Sequence, residues 1–497
     1  TEGPLSVTAG AGSGKTKVLT CRIARLLEIG TDPYCILAIT FTNKAAKEMR
    51  ERVQNLVGVA AERIWLSTFH SFCAKLLRFE IDGFLGYTKN FTIYDSSDQV
   101  TLMKSCLKEL NLDDKQFPPR TVLGTVSSAK NALLRADEFA KSADDFYTLK
   151  VSEAYTLYEK KLKDNNAVDF DDLLLLAVKL LQERQDIREK YQERFRYILV
   201  DEYQDTNKAQ YLLTQILAAK WRNICVVGDA DQSIYAWRGA DIQNIMDFMR
   251  DYPDGTNVKL EQNYRSTKTV LQAANAVIDN NEARLKKALW TENPQGHKIV
   301  HYHAQTEHDE ADYIAGVIYN RHSIENEPYG NMAILFRTNS QSRVLEEKLM
   351  RYGIPYTMVG GTKFYDRKEI KDVIAYLRVL YNPEDSLSLV RILNVPKRSI
   401  GATSIEHLTD YAEENGMSLF DALSTTEDLP VTKRVKTALE DFAALIFSLL
   451  GEVSKTDVPT LIERVVKETG YGDMLDKEAA QDPQGESRKE NVGQLIN

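Results

Sequence analysis

The chain has 497 residues, more than one hydrophobic core usually supports, so its length predicts two or more domains. Hydrophobic residues make up 43% and charged residues 27% of the sequence, as in ordinary soluble globular proteins. The net charge of −9 argues against binding nucleic acid through bulk positive charge, although it leaves room for a local basic or aromatic groove. No apolar run approaches the roughly 20 residues of a membrane span.

The cysteines and the start of the chain indicate a compartment. The five cysteines are scattered without a CxxC pair, which fits core residues in a reducing environment better than disulfides or a zinc site. No charged-then-apolar leader opens the sequence. We therefore expect a cytoplasmic protein that contacts no membrane.

The chain alternates between two patterns. Strands are predicted at "GPLSVT", "CILAIT" and "RIWLST", and helices at "KTKVLTCRIARLLE" and "NKAAKEMRERVQNLV". Helical spacing without strands follows from about Asp95 to Arg194, before strands resume at "YILVDE" and "NICVVGD". A second alternation has strands predicted at "KIVHYHA", "NMAILFRT" and "PYTMVGG", and a mostly helical region follows Phe364. Strand–helix alternation predicts parallel sheets covered on both faces.

These changes of pattern predict an α/β fold with two helical inserts. We expect one α/β domain over residues 1–93 and 191–263, interrupted by a helical insert over 94–190. We expect a second α/β domain over 264–364 and a second helical insert over 365–497.

The stretch "AGAGSGKT" nearly matches GxxxxGK[ST], with Ala9 at the first glycine position. It lies between a predicted strand and a predicted helix, where backbone N–H groups and the helix N-terminus converge on an anion. Lys15 is predicted to reach the β- and γ-phosphates and Thr16 to bind Mg²⁺. An ordinary Gly/Ser turn is the competing interpretation.

The stretch "YILVDEYQDTN" supplies an acidic partner for such a metal. Asp201 is predicted to hold the Mg²⁺ shell and Glu202 to polarise the attacking water. Acidic pairs after strands are common, so this interpretation depends on the stretch "AGAGSGKT" (residues 9–16), which we call the phosphate loop.

Two further stretches combine aromatic and polar side chains. In "VVGDADQSIYAWRGA", Gln232 has the length to sense a γ-phosphate, and Tyr235, Trp237 and Arg238 suit stacking on a single strand. Their aromatic rings are equally typical of a core. In "LEQNYRST", Tyr264 is predicted to stack on adenine and Arg265 to stabilise phosphate charge, a structural ion pair being the alternative.

Together these motifs resemble the superfamily 1A DNA helicases of the PcrA/UvrD/Rep group, with the likeness greatest to its Gram-positive branch. The ordered series is "AGAGSGKT", "AITFTNKAAKEM", "STFHSFC", "VDEYQDTN", "GDADQSIYAWRGAD" and "LEQNYRST". The resemblance extends from Thr1 to about Asn497, and alanine at position 9 is usual in this family. It implies two RecA-like P-loop motor domains, ATP and Mg²⁺ as cofactors, and ATP-driven 3′→5′ movement on DNA in replication or repair.

The resemblance also implies site residues and partners. The implied catalytic residues are Lys15, Thr16, Asp201, Glu202, Gln232 and Arg265, with Thr16 and Asp201 on the metal. The implied nucleotide-binding residues are Ala9, Gly10, Ala11, Gly12, Ser13, Gly14, Lys15, Thr16, Lys17, Tyr264 and Arg265. The implied DNA-binding residues are Phe41, Thr42, Asn43, Thr68, Phe69, His70, Tyr235, Trp237, Arg238, Arg337, Asn339, Lys397, Arg398 and Gly401. The implied partners are single-stranded DNA and its junctions with duplex, bound by a monomer, alongside repair or replication proteins.

The sequence departs from the family in three places. Lys17 stands where arginine is common, and Ser399 replaces the first glycine of a Gly-Ile-Gly turn. The family's adenine motif is expected before Thr1 and its last two motifs after Asn497, so we expect the second motor domain to be incomplete at its C-terminal end. Two alternatives stay open: the motor subunit of a recombination helicase-nuclease, and a nucleotide-gated DNA-binding protein that does not unwind.

Overall fold

The first 260 residues of the computed structural model contain a six-stranded parallel sheet. The structure describes residues 2–281, 287–338, 341–359, 367–479 and 483–496. The strand order is β3-β2-β6-β7-β1-β8, and β4 and β5 form a separate parallel pair. The strands are β1 (Leu5–Ala9), β2 (Ile36–Thr40), β3 (Trp65–Thr68), β4 (Thr92–Ile93), β5 (Ala167–Val168), β6 (Tyr197–Val200), β7 (Ile224–Gly228) and β8 (Thr256–Leu260).

Helices cover both faces of this sheet. In β2, Ile36 and Ala38 join one hydrophobic core while Leu37 and Ile39 join the other. A strand that is apolar at every position therefore suits a parallel sheet buried on both sides. This confirms the predicted α/β class for the first domain.

The first 296 residues contain thirteen described α-helices. They are α1 (Lys15–Glu28), α2 (Asn43–Val57), α3 (Phe69–Glu80), α4 (Ser96–Glu109), α5 (Pro119–Asn131), α6 (Ala136–Ala140), α7 (Phe146–Asp164), α8 (Phe170–Glu183), α9 (Gln185–Arg194), α10 (Lys208–Ala218), α11 (Gln243–Met246), α12 (Phe248–Asp251) and α13 (Lys268–Ile278). Short 3₁₀ turns lie at Pro33–Cys35, Gly58–Arg63, Phe84–Gly86, Tyr203–Asp205, Ala230–Gln232 and Ala236–Arg238. The bounds of α1 and α2 coincide with the two helices predicted first.

Helices α4–α9 form the expected helical region, which also contains β5. The Lys130 side chain, 1% exposed, lies between α5 and α8 with its Nζ 2.7 Å from Asp169 Oδ2 and 2.7 Å from Asp172 Oδ1. Asp169 also caps α8 by accepting the N–H of Asp172. Because a buried charge must be paired, these two carboxylates compensate the Lys130 ammonium and connect α5 to the start of α8.

The described chain divides into two compact units. One comprises Thr1–Gly296, Arg378–Leu393 and Ser399–Ala443, and the other comprises His297–Leu377, Asn394–Arg398 and Ala444–Asn497. The remaining helices are α14 (Glu307–Ser323), α15 (Ser342–Arg351), α16 (Lys368–Tyr381), α17 (Ser386–Leu393), α18 (Ala402–Glu414), α19 (Leu419–Ala422), α20 (Lys433–Leu450), α21 (Val458–Glu468), α22 (Tyr471–Ala479) and α23 (Pro483–Ile496), with a 3₁₀ turn at Tyr329–Asn331.

Three strands predicted in the second unit do not form among its described residues. "KIVHYHA", "NMAILFRT" and the described part of "PYTMVGG" run without strand pairing. Val300 and Leu335 are 75% and 93% exposed in these segments. The prediction of these strands is therefore wrong for the described chain, because an apolar run becomes a strand only where a neighbour accepts its backbone hydrogen bonds.

All five cysteines are free thiols; Cys73, Cys106 and Cys225 are buried, whereas Cys35 is half-buried and Cys21 is exposed, which corrects the expectation that all of them are core residues. Within the described ranges, no helix combines the length and apolar character that crossing a membrane requires.

Candidate active site

Three predicted motifs meet at the carboxyl edge of the sheet. β1 ends at Ala9, β6 at Val200 and β7 at Gly228, and these three strands are adjacent in the order β6-β7-β1. Because all three strands are parallel, the loops that follow them emerge at the same edge, where α/β proteins bind ligands. The phosphate loop, the Asp201–Glu202 pair and the Asp229–Gln232 turn therefore form one site.

The phosphate loop has a backbone that only glycine adopts easily. Gly12 and Gly14 have φ values of 67° and 94°, and Gly14 directly precedes α1. A Cβ at Gly12 would lie 2.6 Å from Asn263 Nδ2, so the loop also requires close packing there. Lys15 and Thr16 are the first two residues of α1, where free N–H groups and the helix dipole favour an anion.

Lys15 is paired with the predicted base. Its Nζ lies 2.8 Å from Glu202 Oε2, and its side chain is 11% exposed. Glu202 has a φ of 48°, a left-handed conformation that is costly for a non-glycine residue and typical of functional positions. Asp201 is anchored differently, because its N–H donates to the Ile39 carbonyl across the sheet.

The surroundings of Asp201 and Asp205 disfavour the ionised form of both carboxyl groups. Burial and then the Glu202 carboxylate raise the pKa of Asp201 to about 6, and the same two causes raise the pKa of Asp205 to about 6. A cation beside Asp201 would relieve this cost.

The donor set fits Mg²⁺ held together with phosphate. Among the described residues, no group of three or more His, Cys, Asp or Glu side chains suits a metal held by protein alone. Mg²⁺ usually takes one or two protein oxygens and completes its shell with phosphate and water. The Asp201 carboxylate and the Thr16 hydroxyl are oxygen ligands of the kind it prefers.

The loop before α13 packs against the phosphate loop through Asn263. Asn263 Nδ2 donates to the Ala11 carbonyl at 2.7 Å, while its Oδ1 accepts the N–H groups of Arg265 and Ser266. The Tyr264 N–H donates to the Gly12 carbonyl at 3.0 Å. The structure thus places Tyr264 and Arg265 beside the phosphate loop, with the Tyr264 side chain 67% exposed.

The turn after β7 carries a second set of polar contacts. Gln232 Nε2 donates to Asp229 Oδ2 at 2.7 Å. Lys287, with a side chain 5% exposed, forms an ion pair with Asp229 and lies 3.2 Å from Asp231. Burial and the Lys15 ammonium lower the pKa of Lys287 to about 8. No spacing in the sequence identifies Lys287 as a site residue. Asn263 belongs to "LEQNYRST", but its contact with Ala11 could not be predicted because it joins segments far apart in the chain.

An aromatic row extends from the same turn. The rings of Phe41 and Tyr235 are stacked with centroids 5.2 Å apart, and the Trp237 ring lies 6.4 Å from that of Tyr235. Trp237 is 74% exposed, so it is not a core residue. The side chain of Arg238 lies outside the described residues, and Lys17 is exposed on α1.

The other residues predicted to face DNA on the first domain serve mixed roles. Thr42 and Thr68 cap α2 and α3 by accepting the N–H groups of Ala45 and Ser71, and Asn43 is exposed at the start of α2. Phe69 is 2% exposed and packs in the core, which corrects its predicted surface position. His70 contacts Phe170 edge-on, and burial lowers the pKa of His70.

The remaining residues implied to bind DNA lie between residues 337 and 401. Arg337 and Lys397 are exposed in the second unit, and Asn339 lies outside the described residues. Arg398 is half-buried and donates to Tyr376 Oη at 2.8 Å and to the Thr469 carbonyl at 3.0 Å. Gly401 precedes α18, and Ser399 has a φ of 65°, a left-handed conformation that favours glycine.

A parallel sheet with a phosphate loop after β1 and an Asp–Glu pair after β6 defines a P-loop protein of the RecA-like class. Comparison with known families narrows this class. Residues 1–253 match the UvrD/REP helicase N-terminal domain, and residues 258–452 match the UvrD-like helicase C-terminal domain. The chain therefore belongs to the UvrD/REP family of helicases.

Individual relatives agree with this placement. The chain is 50% identical over all 497 residues to the ATP-dependent DNA helicase PcrA of Bacillus subtilis (strain 168), covering 67% of that protein. It is 50% identical to PcrA of Staphylococcus aureus (strain Mu50) and 51% identical to PcrA of Staphylococcus epidermidis (strain ATCC 35984), covering 68% of each.

Proposed function

We propose that this chain is an ATP-dependent DNA helicase that moves 3′→5′ along single-stranded DNA and unwinds duplex at junctions. The observation that carries the proposal is the turn after β7, which holds Gln232 by a hydrogen bond to Asp229 and leads within a few residues to the exposed Trp237 ring. Such a turn connects Gln232, which is proposed to contact phosphate, with the Trp237 ring, which is proposed to stack on a DNA base. Residues 264–364 are proposed as part of a second motor domain, and the helicase is proposed to act as a monomer.

The first step is an exchange of partners by Lys15. Lys15 forms an ion pair with Glu202, and phosphate oxygens are its proposed partners when ATP binds. This exchange frees the Glu202 carboxylate to accept a proton from the attacking water. Gln232 and Arg265 are proposed to contact the γ-phosphate, and Tyr264 to stack on adenine.

Mg²⁺, when bound, would neutralise charge on the transferred phosphoryl group. The Asp201 carboxylate is proposed to bind the ion directly, and the Thr16 hydroxyl is proposed as the second protein ligand. Their hydroxyl and carboxylate oxygens suit a cation that keeps most of its ligands as water and phosphate.

The aromatic row of Phe41, Tyr235 and Trp237 is proposed to hold single-stranded DNA. Stacking accepts every base, so a motor that moves along a strand needs no sequence-specific contact. Asn43, His70, Arg238, Arg337, Asn339 and Lys397 are proposed to add polar contacts. Phe69 lies in the core and does not belong to this surface, and Arg398 is proposed to support the turn that carries Lys397.

The rate of ATP hydrolysis with and without single-stranded DNA tests this function. The proposed helicase hydrolyses ATP faster when an oligonucleotide without secondary structure is added. A rate that no single strand changes would contradict coupling between the two sites.

Replacing Trp237 with alanine is expected to weaken binding of single-stranded DNA by about 1–3 kcal/mol, the effect of one stacked base. Fluorescence anisotropy with a labelled oligonucleotide measures the change. Trp221→Ala is the matched control, because Trp221 is also exposed but packs on Arg196. Equal affinities for the Trp237 variant and the unmodified chain would remove Trp237 from the DNA site.

The Mg²⁺ concentration needed for nucleotide binding is expected to rise as the pH falls through about 6. The pKa of Asp201 is raised to about 6, so its carboxyl is protonated below that pH and is ionised, and able to bind Mg²⁺, above it. The expected slope approaches about tenfold per pH unit below the pKa. Titrating Mg²⁺ against a fluorescent ADP analogue at several pH values measures it.

The same titration on Asp201→Asn gives the contribution of nucleotide protonation, because this variant lacks the titrating carboxyl. Equal pH dependence in the two proteins would show that Asp201 does not hold the metal.

A further inference from the structure

A buried glutamine connects the predicted base to the turn after β7. Gln204 is 1% exposed and follows Glu202 by two residues. Its Nε2 donates to Glu202 Oε2 at 2.9 Å and to Asp205 Oδ2 at 3.2 Å. Its Oε1 accepts the N–H of Asp229 at 2.9 Å. One side-chain amide therefore contacts the carboxylate on one side and the start of the turn on the other.

The turn holds Gln204 at a second point. Ser233 Oγ donates to the Gln204 carbonyl at 3.3 Å, and Ser233 directly follows Gln232. Tyr235 and Trp237, two members of the aromatic row, follow in the same turn. A shift of this turn would therefore act on both the side chain and the main chain of Gln204.

Tight packing limits independent movement of the Gln204 amide. A Cβ added at Gly228 would lie 2.6 Å from Gln204 Oε1 and 2.7 Å from Ile245 Cδ1. Glycine at the end of β7 thus leaves just enough space for this amide. Because the interior is close-packed, displacement of Asp229 is transmitted to Gln204 rather than absorbed by a void.

Gln204 also shares its acceptor with Lys15. Both side chains donate to Glu202 Oε2, at 2.9 Å and 2.8 Å. When Lys15 turns to phosphate, the Gln204 amide continues to orient the carboxylate. The orientation of Glu202 then follows the position of the turn.

We propose that Gln204 is a positioning residue that couples DNA bound on the turn after β7 to the orientation of the Glu202 carboxylate. This inference rests on the proposed function, since it needs an ATPase that DNA stimulates. It assigns Gln204 no contact with nucleotide or DNA. The effect of its loss should therefore appear in the stimulation by DNA rather than in either affinity.

Two substitutions separate the hydrogen bonds from packing. Gln204→Met keeps a side chain of similar length without either hydrogen bond. Gln204→Glu keeps an acceptor for Asp229 but cannot donate to Glu202 when ionised. Gln210→Met is the matched control, because Gln210 is another buried glutamine, whose Oε1 accepts the N–H of Asn207 at the start of α10.

The experiment measures steady-state ATP hydrolysis by the full chain with and without single-stranded DNA, together with the Kd values for a fluorescent ADP analogue and an oligonucleotide. Both Gln204 variants are expected to lower the DNA-stimulated kcat by about 10- to 100-fold, as loss of an orienting partner does elsewhere. The basal kcat should fall by much less than the stimulated kcat, while the KM for ATP and both Kd values should stay close to those of the unmodified chain. Gln210→Met should retain its stimulation.

Three outcomes would overturn the inference. Unchanged stimulation by DNA in both Gln204 variants would show that Gln204 does not couple bound DNA to the Glu202 carboxylate. An equal fall in basal and stimulated rates, or a fall in both affinities, would mean a structural role alone. An unmodified chain that DNA does not stimulate would contradict the proposed function itself, and the coupling with it.

Discussion

Replacing Glu202 with glutamine is expected to lower DNA-stimulated ATP hydrolysis by about 10²- to 10⁴-fold, the contribution of a positioned general base. Glutamine keeps the shape of the side chain but does not accept the proton of the attacking water. ATP binding should be retained or strengthened, because the carboxylate that holds Lys15 at 2.8 Å is gone. Phosphate release and binding of a fluorescent nucleotide measure the two effects separately.

Glu193→Gln is the control for this experiment. Glu193 lies at the end of α9 and forms exposed ion pairs with Arg196 and Lys220. Its replacement should leave hydrolysis unchanged, since exposed pairs contribute little. Normal turnover by the Glu202 variant would remove that residue from the role of base.

Replacing Lys15 with methionine is expected to abolish measurable hydrolysis and to weaken ATP binding. A hydrogen bond to a charged group contributes about 1.5–3 kcal/mol, which corresponds to roughly 10- to 150-fold in Kd. Methionine preserves most of the side-chain volume at a position that is 11% exposed, so the fold should persist. Isothermal titration with a non-hydrolysable ATP analogue measures the affinity, and circular dichroism checks the fold.

Lys141→Met serves as the control for a lost positive charge. Lys141 is exposed in the helical insert. Its variant should bind ATP like the unmodified chain. Equal affinities for the Lys15 variant and this control would contradict the phosphate role assigned to the loop "AGAGSGKT".

The first domain could be predicted closely because its signals are local. Apolar strands that end at Ala9, Val200 and Gly228 place three motifs at one edge once the sheet is known to be parallel. The bounds of α1 follow from its glycine-rich start and its apolar spacing. Local pattern and global fold agree here, as expected of natural sequences.

Tertiary contacts account for what could not be predicted. The family resemblance implied that Phe69 faces DNA, but α3 places its ring in the core. Asn263 and Lys287 act through partners far away in the chain, and Gln204 through both a neighbour and the distant Asp229. Hydrogen bonds between distant segments leave no periodicity for a sequence to display.

The second unit shows the opposite limit. Its helices α14 and α15 appear between the segments that were predicted as strands. Its predicted strands do not form among the described residues, because a strand needs a neighbouring strand to pair with and an apolar run alone is not enough. Ile299 and Val300 are consequently 64% and 75% exposed.

Strand displacement on tailed duplexes tests the central claim most directly. The chain is mixed with ATP, Mg²⁺ and a labelled duplex carrying either a 3′ or a 5′ single-stranded tail. The proposed helicase separates the 3′-tailed duplex in an ATP-dependent reaction that Glu202→Gln prevents, and it leaves the 5′-tailed duplex intact. ATP-dependent binding of the tail without displacement of either duplex would contradict it and favour a nucleotide-gated DNA-binding protein.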